Sequence, residues 1–284
     1  MEYLQPIQRD KDGVHRIEWG SVEECMAMAM HDNAVNEKNK QLLIRVTEEY
    51  AGKDDFWDCK TQSQLRDMVH NPPEANLGEI ESMRNQLDGV MQNVKPVRHI
   101  MRNQDHGDDL DTGAWARRDP FGWSRNVKER GPKPVISIAI NTAISAFEES
   151  HNLKPRGACA ILLADQFEEL GYGVEVKILD TSKAISGEVH MLVQTVVVKA
   201  AGVPSDTALM AMMCCSPAFR RAFLLMARSR VVPGTVHTGF GTPSSIPEAD
   251  KKGFDIVIDR DVKSMATAEE FIGKIASKFN MNKD

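Results

Sequence analysis

The pattern that most constrains this chain is the alternation of β-branched runs with helical runs over residues 134–284. Pro134 precedes Val135-Ile136-Ser137-Ile138-Ala139-Ile140, a short apolar run that reads as a strand. From Arg156 to Leu170, residues Ala160, Leu163, Ala164 and Phe167 recur at helical spacing, and Gly171 is placed as the C-terminal glycine. Val174 to Leu179 alternates apolar with charged residues and reads as a strand. Val189 to Lys199 reads as another, reached through a Ser-Gly turn, so the two should pair antiparallel. Asp206 to Cys215 and Pro217 to Met226 read as helices, Phe254 to Ile258 as a strand, and Thr267 to Phe279 as a closing helix. The order β-α-β-β-α-α-β-α predicts an α/β fold: a three-layer sandwich around a mostly parallel sheet.

The rest of the chain has a different character. Residues 1–94 carry 10 basic and 18 acidic side chains; residues 95–133 carry 9 and 6; residues 134–284 carry 16 and 17. An overall charge of -6 argues against a surface that coats nucleic acid nonspecifically, but the positive middle leaves room for one confined basic site. The expected organisation is therefore an acidic, mainly helical N-terminal part (1–94), a basic and aromatic connecting arm (95–133) and an α/β domain (134–284). In the first part, Ser21 and Glu24 have capping-box spacing. Residues 36–51, a short run carrying Leu65, Met68 and Val69, and residues 77–90 are the further helix candidates. In the last of these, Ile80, Met83, Leu87 and Val90 form one stripe. The arm is rich in Pro, Gly, Asp and Arg and reads as an irregular connection.

Within the arm, Arg117, Arg118, Arg125, Lys128, Arg130 and Lys133 outnumber Asp119 and Glu129, and Trp115, Phe121 and Trp123 are interleaved with them. Flat rings on which bases stack, beside cations that neutralise phosphates, are what single-strand binding requires. The competing reading is that the tryptophans anchor the arm while its arginines are solvated or face the acidic N-terminal part. A second basic group, Arg220, Arg221, Arg228 and Arg230, reads as a solvated helix face. Asp105, His106, Asp108, Asp109 and Asp111 form an acidic knot without the spacing of a calcium loop, and turn or cap duty suits them better.

Ligand sites of open α/β sheets lie at the carboxyl ends of strands, so the loop Asn141-Thr142-Ala143-Ile144-Ser145 is the first place to look. Here the sequence resembles von Willebrand factor A-like domains over roughly residues 134–280. Their first strand ends in Asp-x-Ser-x-Ser, which holds a divalent metal. In this chain the Asp position is Asn141, the first Ser position is Ala143, and only Ser145 matches. An amide removes a charge and a methyl removes a ligand, so Asn141 and Ser145 read as turn-capping residues of a degenerate metal loop, with no metal expected. The chain also resembles an uncharacterised family of bacteriophage proteins. The stretch from Gly107-Asp108-Asp109-Leu110-Asp111 to Trp123 carries that likeness, with the strand through Asn141, Arg156-Gly157-Ala158, and Leu170-Gly171-Tyr172 before Val174-Glu175-Val176. This resemblance implies a phage source and an infected bacterial cell, and no activity.

No G-x-x-x-x-G-K-[ST], H-E-x-x-H or G-x-S-x-G motif is present, so no catalytic residue and no cofactor is expected. Five cysteines lack a C-x-x-C pair, and the adjacent Cys214 and Cys215 read as buried free thiols, which fits a reducing cytoplasm. No signal peptide and no membrane-spanning run is evident. The expected function is a non-enzymatic phage accessory protein that binds nucleic acid, single-stranded DNA in the first place, and a protein partner, such as a phage or host polymerase in transcription or replication. The alternative is a protein–protein interaction module built on a metal-free von Willebrand A-like domain.

Overall fold

The computed structural model describes residues 8–9, 13–30, 67, 71, 74–91, 99–104, 109–110, 112, 116–117, 123–127, 134–145, 148–186, 189–231 and 242–281. The elements run β1 (Gln8–Arg9), β2 (Val14–Trp19), α1 (Val22–Met30), α2 (Glu74–Met91), β3 (His99–Gln104), β4 (Asp109–Leu110), β5 (Trp123–Val127) and β6 (Val135–Asn141). A 3-10 turn (Ser150–Leu153), α3 (Lys154–Glu169), β7 (Gly173–Ser186), β8 (Val189–Lys199) and α4 (Thr207–Cys215) follow. Then come a single turn Pro217–Phe219, a π turn Arg220–Leu224, α5 (Leu225–Val231), β9 (Thr242–Pro243), α6 (Glu248–Lys251), β10 (Ile256–Ile258) and α7 (Met265–Met281). The helix candidates at 36–51 and around Leu65 lie outside the described residues, apart from Asp67.

The fold is mixed α/β. The main sheet has the order β1-β2-β8-β7-β6-β10, with β9 against β7. From β2 to β10, three of the four neighbouring pairs are parallel (β2 with β8, β7 with β6, β6 with β10) and β7 with β8 is antiparallel. The β-α-β-β succession read from the sequence is thus present as β6-α3-β7-β8, with β6 inside the sheet and α3 as the crossover between parallel strands.

Local signals set the ends of several elements. Glu24 N–H donates to Ser21 Oγ at 3.2 Å, and Glu24 Oε2 accepts from Gly20 N–H at 2.7 Å, which starts α1. Asp206 accepts from Leu209 N–H at 2.9 Å and starts α4. Gly171 takes φ +95° just past α3, where only a residue without Cβ is unstrained. Helix α3 is buried on every side from Pro155 to Ala164, and eleven of its residues are buried in all. That is the signature of a helix enclosed on several sides. It packs on β6 and β7 and is flanked by α2, α4 and α7. Gly157 permits the contact with α4: a Cβ there would sit 2.0 Å from Cys215 Sγ.

Alternation divides the sheet into two faces. Ile17, Trp19, Ile136, Ile138, Ile140, Val174, Val176, Ile178, Leu192 and Val196 share one large core with residues of α1 to α5 and α7. On the opposite face Ala139, Leu179 and Val193 meet Ile246, with Phe254 and Val257 packed alongside. Among the described residues, helices therefore gather mainly on one face, with α2 lying across α3 and α7. The N-terminal region takes part in the same core: β2 pairs with β8, and Ile80 and Leu87 of α2 are buried in it.

The arm also differs from an irregular connection. Strands β3, β5 and β4 form a small antiparallel sheet with pairs such as Met101 with Arg125 and Leu110 with Trp123. These partners are distant in sequence, so no local turn signal announces them.

Candidate functional site

Of the nucleic-acid candidates, Trp123 opens β5 of the small sheet and is 36% exposed, one of the few large apolar side chains open to solvent among the described residues. Arg117 is exposed in a turn. Arg125 lies two positions beyond Trp123 on β5, paired with Met101. Trp115, Arg118, Phe121, Lys128, Arg130 and Lys133 lie outside the described residues. So do Asp105, His106, Asp108 and Asp111 of the acidic knot.

At the carboxyl end of β6, Asn141 is fully buried and fully engaged. Its Nδ2 donates to Asp259 Oδ1 at 2.8 Å, to the Ser244 carbonyl at 2.9 Å and to Thr181 Oγ1 at 3.4 Å. Its Oδ1 accepts from Ala143 N–H at 2.9 Å, closing an Asx turn. Turn capping, the reading preferred for this position, is what the side chain does. The donor set does not fit a divalent cation: where an anionic oxygen would be needed, an amide nitrogen donates outward to three oxygens. Ser145 is half-buried at the end of the same loop. No cluster of three or more His, Cys, Asp or Glu side chains suited to a metal occurs among the described residues.

Arg156, on α3, locks this end of the sheet. Its Nη1 donates to the carbonyls of Asn141 and Ala143, its Nε to that of Val262 at 2.8 Å, and its Nη2 to that of Arg260. Burial lowers its pKa to about 10, opposed by nearby Glu148. One guanidinium thus ties the loop after β6 to the loop after β10. Arg260 in turn binds Glu148 and donates to the Pro243 carbonyl at 2.8 Å.

The second basic group corrects the expectation of a solvated face. Arg220 is 7% exposed and Arg228 is fully buried. Both converge on Asp180 of β7: Arg220 Nε lies 2.6 Å from Oδ1, and Arg228 Nη1 lies 3.6 Å from Oδ2. Arg228 Nη1 also donates to Ser182 Oγ at 3.0 Å, and Arg220 Nη1 reaches the Ile144 carbonyl. Burial lowers the Arg228 pKa to about 10, while Asp180 pushes it back up. The sequence places these arginines near a helix, but not their side, and the strand read from it stops at Leu179, one residue short of Asp180. Arg220 opens the π turn Arg220–Leu224, an irregularity that frequently marks functional places.

A groove of about 530 Å³ crosses the opposite sheet face. Leu179, Val193 and Val197 line it beside the Arg16–Asp250 ion pair, whose closest contact is 2.7 Å. No helix among the described residues is long and apolar enough to cross a membrane.

No curated protein and no solved structure matches this chain. A family model described as a domain of unknown function (DUF7192) matches residues 10–283, nearly the whole chain, and the protein belongs to that family.

Proposed function

We propose that this protein is a non-enzymatic accessory protein that binds single-stranded nucleic acid through its basic, aromatic arm and engages a protein partner through its α/β part. The observation that carries the reading is Trp123: an indole open to solvent on a small antiparallel sheet, inside the one segment whose charge opposes that of the chain. Exposed rings on a sheet offer a stacking surface, and Arg117 and its basic neighbours supply phosphate contacts. A phage source rests on the sequence resemblance alone, and a polymerase is named as one example of the protein partner. The von Willebrand A-like assignment rests on that resemblance together with the β6-α3-β7-β8 succession. The metal-free Asn141 loop favours the second reading, a pure protein-interaction module.

Fluorescence anisotropy with a labelled single-stranded oligonucleotide at 50 and 200 mM salt tests the first reading. Binding is expected to weaken with salt. Trp123→Ala should cost roughly 5- to 150-fold in affinity, the equivalent of about 1–3 kcal/mol of stacking. Arg117→Ala should reduce the salt slope by about 1. No binding at 50 mM salt, or unchanged binding by Trp123→Ala, overturns it. Partner capture that is insensitive to nuclease and to these substitutions supports the second reading.

A further inference from the structure

On the helix-covered face of the sheet, three polar residues stand in a row across β6, β7 and β8. Asp180 is directly opposite Gln194 in the β7–β8 register. Thr142 continues β6 beside Asp180, since Asn141 pairs with Leu179 and Thr142 N–H donates to the Leu179 carbonyl. All three are buried to within 1%. Directly opposite residues on one sheet face have Cβ atoms about 5 Å apart, close enough for one small group to touch both.

What sets this row apart is its unmet hydrogen-bonding capacity. The Gln194 amide makes no hydrogen bond through either Oε1 or Nε2, Thr142 Oγ1 makes none, and Asp180 Oδ2 makes none. Buried polar groups in native proteins are nearly always satisfied, so a concentration of them in one place calls for a partner. The row lies at the carboxyl end of β6 and along β7, where open α/β sheets hold their ligands. Arg220 stands at its edge, bound to Asp180 and retaining a little exposure.

We infer that this row is a binding site for a small oxyanion that carries a hydroxyl proton, of the phosphate monoester or dihydrogen phosphate class. The chemistry selects that class from both sides. Arg220, Gln194 Nε2 and Thr142 Oγ1 are donors and want anionic oxygen. Gln194 Oε1 is an acceptor and wants an O–H, and Asp180 Oδ2, ion-paired with Arg228 Nη1 at 3.6 Å but without a hydrogen bond, can accept one too. A fully ionised oxyanion meets the first set and leaves these acceptors unmet, whereas a protonated one satisfies both. A phosphodiester has no such proton, so the interior of a nucleic-acid strand does not fit here, while a free phosphate or a terminal phosphate does. The site is independent of Trp123 and of the nucleic-acid reading.

The test is thermal unfolding of the full chain at pH 6.5 in rising inorganic phosphate, against sulfate at matched ionic strength. Phosphate is expected to raise Tm with the logarithm of its concentration above Kd, by about 2–6 °C at a hundredfold excess over Kd, and sulfate, which lacks the proton, to bind at least tenfold more weakly. Gln194→Met and Thr142→Val should each abolish the phosphate-dependent rise. Gln194→Met should raise the phosphate-free Tm, because it removes an unsatisfied buried amide. A 5′-phosphorylated oligonucleotide compared with its 5′-hydroxyl twin separates a terminal phosphate from a free one. No phosphate-dependent rise in the unmodified chain, an equal rise with sulfate, or a rise retained in both variants overturns the proposal. The unmodified chain decides the first two outcomes, so misfolding of a variant leaves the test intact.

Discussion

Asn141 and Asp259, 118 positions apart, are joined by an Nδ2–Oδ1 hydrogen bond of 2.8 Å inside the protein. Together with Arg156, this contact ties the carboxyl end of β6 to that of β10. It also puts an amide donor at the position where the resemblance would place a metal-binding carboxylate.

Asn141→Asp sets a carboxylate against that of Asp259 and removes the donors to Ser244, Thr181 and Asp259. The expected cost is about 3–5 kcal/mol, because a buried charge faces another of the same sign. Urea unfolding followed by circular dichroism measures it, and a loss below about 1 kcal/mol would show that the contact is dispensable.

Asp180→Asn leaves Arg220 and Arg228 buried without the carboxylate they share. Breaking a buried pair from one side costs about 3–5 kcal/mol. The expected readout is a lower urea midpoint with the slope unchanged, and a midpoint at the unmodified value contradicts it.

Gly157→Ala drives a methyl group to 2.0 Å from Cys215 Sγ and 2.9 Å from the carbonyl carbon of Cys214. Helices α3 and α4 must move apart, at about 1–3 kcal/mol or more. Because part of the clash is with backbone, Gly157→Ala/Cys215→Ala should recover only some of the loss in a calorimetric scan.

Burial pushes the Cys159 and Cys214 thiols from 9.0 up to about 12, and raises those of Cys25 and Cys215 as well. Protonated thiols belong to the folded state, while the unfolded chain ionises near pH 9. The contribution of these groups is therefore whole below about pH 8 and declines as pH rises beyond 9. Each thiol takes about 1.4 kcal/mol per pH unit over that window. Cys214→Ala should flatten the alkaline limb of the stability curve, and an unchanged limb speaks against it.

The same burial predicts slow alkylation. In the native chain at pH 8, peptide mass spectrometry after iodoacetamide should find Cys25, Cys159, Cys214 and Cys215 largely unlabelled until denaturant is added. Full native labelling of Cys214 would be incompatible with its packing against α3.

Most elements of residues 134–284 were legible because their signals are local. Pro134 sets the start of β6, Gly171 ends α3, and Asp206 caps α4. Ser21 and Glu24 mark α1 in the same way. The small sheet of the arm was not legible, because β3 finds its partner β5 only across the eighteen residues 105–122. Nor was the entry of β2 into the main sheet, since Ile17 pairs with Gln194 from the far side of the chain.

The two basic groups show where sequence stops and tertiary structure begins. Composition located a positive, aromatic segment in an acidic chain, and the resemblance, set against the chemistry of the Asn141 side chain, made that position a poor metal ligand, because charge and ligand chemistry belong to the residue itself. It could not decide the fate of Arg220 and Arg228. The same arginines on the same helical run face water or lie buried according to what stands opposite, and Asp180 stands opposite only once β7 has paired with β6 and β8. Burial is a property of the assembled sheet and helices, so only the tertiary structure turned a basic helix face into a buried ion-paired network beside the row of Thr142, Asp180 and Gln194.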